Sequence, residues 1–143
     1  MMKEGQILPN HFHKQKTEDV INRGGGILLI RVFNSLPDGS VDRTGPVRIL
    51  TDGIERTVPA GTDVEITRGN SMTIYPGLYH LFMPKPHSGD LIVGEVSSVN
   101  DDRTDNYFEE ERPCFIPVEE DCNMLFPLCN EYTECFFSSR HQK

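Results

Sequence analysis

From Gly26 to Val99 the chain is a succession of short apolar or alternating runs, each cut off by turn-forming residues. This is the pattern of an antiparallel β protein, in which every second side chain enters a core and each turn reverses the chain. The runs are 27–33, 47–51, 54–58, 63–67, 72–75, 80–83 and 91–97. Asp52 and Gly53 separate two of them and form a two-residue hairpin of the I′ kind, because both tolerate positive φ. Pro37, Asp38 and Gly39 make a second turn, and Pro59, Ala60 and Gly61 a third. Seven short strands so spaced predict an all-β sandwich or small barrel. Residues 16–23 are open between a short helical turn, a strand and a loop. Gly24, Gly25 and Gly26 are followed by no GK[ST] and lead into a strand, so they read as a tight turn or close strand approach rather than a phosphate loop.

Composition narrows the function classes. The 143 residues, 36% hydrophobic and 25% charged, suit a single globular domain over 1–143. No apolar run nears the ~20 residues that span a bilayer, so no membrane partner is expected. Fourteen basic residues against 22 acidic ones give a net charge of −8, which repels phosphate backbones and argues against nucleic acid. Residues 1–5 show no apolar signal segment, so a cytoplasmic location is expected. Cys114, Cys122, Cys129 and Cys135 form no CxxC pair and read as reduced thiols. The charged stretch 100–113 reads as a solvated excursion, and 138–143 as a disordered tail.

The residues able to do chemistry begin with His11 and His13. On a strand, residues two apart project from one face, about 6.6 Å apart along the chain. Both imidazoles can therefore address one ion. Glu18 follows after enough chain to turn and return a carboxylate. A second cluster, Pro76-Gly77-Leu78-Tyr79-His80, sets a turn before another histidine. Three imidazoles and a carboxylate suit Mn²⁺, Fe²⁺, Zn²⁺, Ni²⁺ or Co²⁺ and leave room for water or substrate. Singly, each histidine reads as an ordinary core or surface residue; together the set points to a metal. His87 has no evident partner.

HxHx4E followed by PGxxH resembles the two motifs of the cupin superfamily, whose β-barrel, a jelly roll, holds a metal on three His and one Glu. The wording around them is more specific. HFHKQKTEDVINRGGG at 11–26, PGLYH at 76–80, GEVSSVNDD at 94–102, Asp105-Asn106, the acidic run 119–121 and LCNEY at 128–132 are similar to bacterial D-lyxose isomerases. The resemblance covers about residues 9 to 133. It implies a cupin-type barrel, metal ligands His11, His13, Glu18 and His80, and a place for Lys16 in the active site. The activity it implies is interconversion of D-lyxose and D-xylulose through a cis-enediol, with D-mannose and D-fructose as a second pair and Mn²⁺ as the first expected metal.

Such a reaction needs a cation to stabilise developing oxyanion charge and a base near C2. Glu95, in the strand after His80 and flanked by small or apolar residues, is the expected base, since a barrel interior would partly desolvate it; its other reading is an outward strand carboxylate. Glu119 and Glu120 are the runners-up. Lys16 would polarise O1 or O2 or shuttle their protons. Asp102 and Glu120 are expected to bind sugar hydroxyls, with Asp101 and Asp105 either doing the same or capping a turn. The family usually carries an N-terminal extension, whereas here ten residues precede His11. Either another subunit completes the barrel, or the chain is a minimal version with an open edge, or it is a fragment; since an exposed edge strand invites pairing, a homodimer is the expected outcome. A non-catalytic sugar- or metal-binding cupin and an Fe-dependent oxygenase are the alternative functions.

Overall fold

Alternation of buried and exposed side chains runs through the strands of the protein, as in Glu18–Gly25, where residues 18, 20, 22 and 24 are buried and those between are not. A computed structural model describes residues 1–110, without the side chains of Asp102 and Arg103. Within these lie eleven strands: β1 Leu8–His13, β2 Glu18–Gly25, β3 Leu28–Ser35, β4 Val41–Asp42, β5 Val47–Thr51, β6 Ile54–Val58, β7 Thr62–Ile66, β8 Ser71–Ile74, β9 Leu78–Pro84, β10 Leu91–Ser97 and β11 Asn106–Phe108. One helical turn, α1, covers Asp102–Asp105.

The strands form two antiparallel sheets. One runs β11-β1-β9-β3-β4, with β7 also on β3, and the other β10-β2-β8-β5-β6. Together they make the cupin-type all-β fold. Leu28, Ile30 and Val32 of β3, Ile49 of β5, Ile66 of β7 and Met72 of β8 are essentially sealed from solvent between the sheets. Each such side chain contributes about 1.5–3 kcal/mol by leaving water. The intervening positions of β3 face outward, where Arg31 makes a two-pronged salt bridge to Asp63 of β7 at 2.7 and 2.8 Å. Among the described residues no helix is long and apolar enough to cross a membrane.

The expected turns are present. Asp52 and Gly53 have φ of 49° and 77°, the pair of left-handed residues that lets β5 fold back on β6. Gly25 has φ 87°, and a Cβ there would lie 2.0 Å from the Asp90 carbonyl oxygen, so the glycine run does serve close strand approach.

Of the readings left open at 16–23, the strand is the one present over 18–25, because β10 and β8 pair with β2 on its two edges and fix it extended. Leu8–His13, polar and interrupted by Pro9, is a strand as well, held by β9 and β11. The stretch after 100 is not wholly a solvated excursion: β11 pairs with β1, placing Phe108 opposite His11 and Asn106 opposite His13. The cysteines and the 138–143 tail lie outside the described residues.

One edge is open. Leu91 exchanges both backbone hydrogen bonds with Met2, at 2.8 Å each, while Ser98 bonds the other way, to Thr17. Val93, Glu95 and Ser97 share the phase of Leu91, and among the described residues that edge of β10 has no further strand.

Candidate metal centre

β1 and β9 are neighbours in register, with His11 opposite His80. Strand alternation brings His13 to the same face, and the three rings meet with centroids 4.1 Å (His11–His80), 5.0 Å (His11–His13) and 5.3 Å (His13–His80) apart. One nitrogen from each lies within 4.8 Å of the others. All three residues are buried, His80 completely.

The local backbone orients two of the rings in the same way. His11 Nδ1 donates to the Pro9 carbonyl at 2.8 Å and His80 Nδ1 to the Leu78 carbonyl at 3.0 Å, each two residues back. A carbonyl only accepts, so each Nδ1 carries a proton, which fixes the ring and leaves Nε2 as the nitrogen that could ligate. Phe108 stacks on His11 at 5.2 Å and Phe82 lies nearly parallel to His80 at 6.3 Å. Burial, with the neighbouring His80 next in weight, holds His11 down to about 3, so its ring is neutral near pH 7.

Glu18 opens β2 on the facing sheet and completes the cluster, its carboxylate 3.3 Å from His80 Nε2 and 3.6 Å from His13 Nε2. Burial works to raise its pKa, but the close His13, His80 and Lys16 prevail and hold it well below the usual carboxylate range. Both ring nitrogens of His13 and Nε2 of His80 are buried without a hydrogen-bond partner. Leaving such groups unsatisfied costs about 1–3 kcal/mol each. Three imidazoles beside a carboxylate are the donor set of a divalent cation, which would relieve that cost. The residues present therefore fit a metal.

Lys16 lies in the connection between β1 and β2 and is buried. Its Nζ is 2.5 Å from Glu18 and 3.0 Å from Glu95. Burial opposes the charged form, yet the hydrogen bonds to these two carboxylates raise the ammonium above the ordinary lysine value. The Glu95 side chain is 48% exposed, nearer the outward of its two readings. It lies on β10, whose outer edge meets no further strand among the described residues, and water reaches the carboxylate. A cleft of about 340 Å³ opens there, lined by Leu8, Val20, Phe82, Val93 and Glu95 and flanked by Met2 of the N-terminal segment.

The structure thus gathers His11, His13, Glu18, His80, Lys16 and Glu95 at one place. Asp105 is buried and its carboxylate accepts the backbone N–H groups of Gln15 and Lys16. The Asp101 carbonyl accepts the Asp105 N–H at 3.0 Å, closing the α1 turn. The backbone of Asp102 belongs to that turn, but its side chain, like all of Glu119 and Glu120, lies outside the described residues. The sequence reading passed over Phe82 and Phe108. Phe82 stood in view, two residues beyond His80 and so on the same strand face.

A family model for D-lyxose isomerase matches residues 1–132. The D-lyxose/D-mannose isomerase of Escherichia coli O157:H7 is 38% identical over 133 residues, which are 93% of this chain and 58% of that protein. The enzyme of the same name from Serratia proteamaculans is 40% identical over 130 residues, 91% of this chain and 57% of the relative. The chain therefore spans a little under three-fifths of the length of these relatives. With nearly all of its own residues matched, and the site built from the segments that carry the match, the chain belongs to the D-lyxose isomerase family.

Proposed function

We propose that the protein is a metal-dependent aldose–ketose isomerase that interconverts D-lyxose and D-xylulose, with D-mannose and D-fructose as a second pair. The observation that carries this reading is the juxtaposition of three buried imidazoles, two of them (His13 and His80) with ring nitrogens that lack hydrogen-bond partners, with a Glu18–Lys16–Glu95 chain that reaches a cleft. The names of the two relatives support the choice of sugars. His11, His13, Glu18 and His80 would hold the cation, with Mn²⁺ the first choice. Bound there, it would supply Lewis-acid stabilisation of negative charge on the C1 and C2 oxygens.

The chain's own residues do the proton work. Glu95 lines the cleft with an accessible carboxylate, takes the proton from C2 and returns it to C1, the sugar passing through a cis-enediol between the two steps. Lys16, held by Glu95 and Glu18, keeps an ammonium donor beside the hydroxyl whose proton must shift from O2 to O1. Val20, Phe82 and Val93 give the cleft an apolar floor. Asp102 and Glu120 bind sugar hydroxyls in this scheme. The edge of β10, which has no further strand among the described residues, would be closed by a second copy, giving a homodimer.

Purified protein incubated with Mn²⁺ and D-lyxose should form ketose, and both chelation and His80→Ala should abolish it. Ketose formation undiminished by both would refute the mechanism. A sugar- or metal-binding protein without turnover is the second reading, favoured by the open flank at Glu95. Calorimetric sugar binding with no ketose formed would select it.

A further inference from the structure

The connection Lys14–Thr17 carries Lys16 from one sheet to the other and has no strand to hold it. Its backbone is instead fixed by the segment 98–105. Asp105 accepts the Gln15 N–H at 2.7 Å and the Lys16 N–H at 3.0 Å through its two carboxylate oxygens, and the Lys14 N–H at 3.2 Å through its carbonyl. Ser98 Oγ accepts the Thr17 N–H at 3.2 Å. The Asp105 carboxylate is 6% exposed as a residue and lies about 90 positions along the chain from its partners. Its own backbone is tied by α1 on one side and by β11, paired to the histidine strand β1, on the other. The same residue thus references the lysine loop to the strand that bears His11 and His13.

We infer that Asp105 is a positioning residue for the isomerisation: it sets the height of Lys16 above the imidazole cluster by gripping the lysine's own backbone N–H, and touches no substrate itself. This rests on the isomerase reading given above. The physical ground is that reacting groups must be placed to within a fraction of an ångström, a 1 Å misplacement costing about 100-fold in rate. The histidines do not depend on the grip, because β9 and β3 hold their sheet independently. Asp105→Ala removes both carboxylate acceptors. Asp105→Asn keeps one, since its amide nitrogen would face the second N–H donor to donor.

The test compares kcat, KM and metal content of the parent, Asp105→Asn, Asp105→Ala, Lys16→Met and the Asp105→Ala/Lys16→Met pair. Expected is a fall in kcat of roughly 100-fold for the alanine variant and a smaller one for asparagine, with metal content and KM close to the parent. In the Lys16→Met background the alanine change should lower kcat no further. A purely structural role would lower kcat equally in both backgrounds and overturns the inference, as does an alanine variant within twofold of the parent. Amide hydrogen exchange at Gln15 and Lys16, faster in both Asp105 variants, checks the grip without any turnover. A parent that makes no ketose while Asp105→Ala still loses that protection defeats the isomerase reading and the catalytic consequence, but not the contact. Unchanged protection defeats the contact itself.

Discussion

Two parts of one interior are built from the same strands by opposite rules. On β9, Leu78 and His80 point inward two residues apart, and on β2, Glu18 and Val20 do the same. Around Ile30, Ile49, Ile66 and Met72 burial removes apolar surface from water and stabilises the fold without any partner but shape. Around His13, Glu18 and His80 the same burial strands polar atoms and holds the fold back. The fold is therefore stabilised by one part of its interior and burdened by the other, and the polar part is the one a bound ion would change.

The sharpest way to separate the two parts is to cut the apolar one. Ile30 is sealed between the sheets, so Ile30→Ala should cost ~2–5 kcal/mol in urea unfolding while metal content per folded molecule stays unchanged. A variant that loses metal in proportion to stability would show that the two parts are a single unit. Metal addition makes the converse test. Saturating a site at 100 times Kd raises stability by ~2.7 kcal/mol, which should appear as a higher Tm for the parent and vanish in His13→Ala. In the absence of metal, His13→Ala should be no less stable than expected for its lost volume, since it also removes two unsatisfied nitrogens.

The third test is acid. The His11 imidazole stands near 6.5 when unfolded and about 3 when folded, so between those values the unfolded chain binds a proton that the folded one refuses. Stability of the metal-free protein should then be complete above pH 6.5 and fall as pH drops through that window, by up to ~1.4 kcal/mol per unit. Glu18, depressed in the fold, adds loss of the same sign below its unfolded value of 4.5. Urea midpoints of the chelated protein from pH 8 to 4 would check this. His11→Leu should flatten the slope above pH 5, and an unchanged slope would remove His11 from the account.

How far the sequence foretold each part follows the same division. The apolar strands and the Asp52-Gly53 hairpin were readable because alternation and positive-φ residues are local signals. The histidine pair was readable for the same reason, and Glu18 and Lys16 through their resemblance to the family. What escaped depends on distant pairing. β11 is three residues in a charged stretch and is extended only because β1 lies beside it. Asp105 was open between binding sugar hydroxyls and capping a turn, because the loop whose N–H groups it accepts lies about 90 residues away in the chain. Glu95 was expected inside, but whether an inward position on an edge strand is covered is decided by a neighbouring strand that local sequence does not name.

The smallest effect should come from the outer faces, which serve neither part. Arg31 and Asp63 make a well-formed fork, but their side chains are 40% and 35% exposed. Water and salt screen an ion pair at such a position, and fixing two side chains offsets much of the gain, so exposed pairs contribute ~0.2–1 kcal/mol. Asp63→Asn should lower stability by no more than that, with the difference shrinking in 1 M salt as the Debye length falls to about 3 Å. Metal content and ketose formation should not move. A loss of several kcal/mol, insensitive to salt, would mean that the β3–β7 pairing needs this bridge for register. The division between a stabilising interior and an inert surface would then fail at β7, where Val64 and Ile66 point inward from the same strand that carries Asp63 outside.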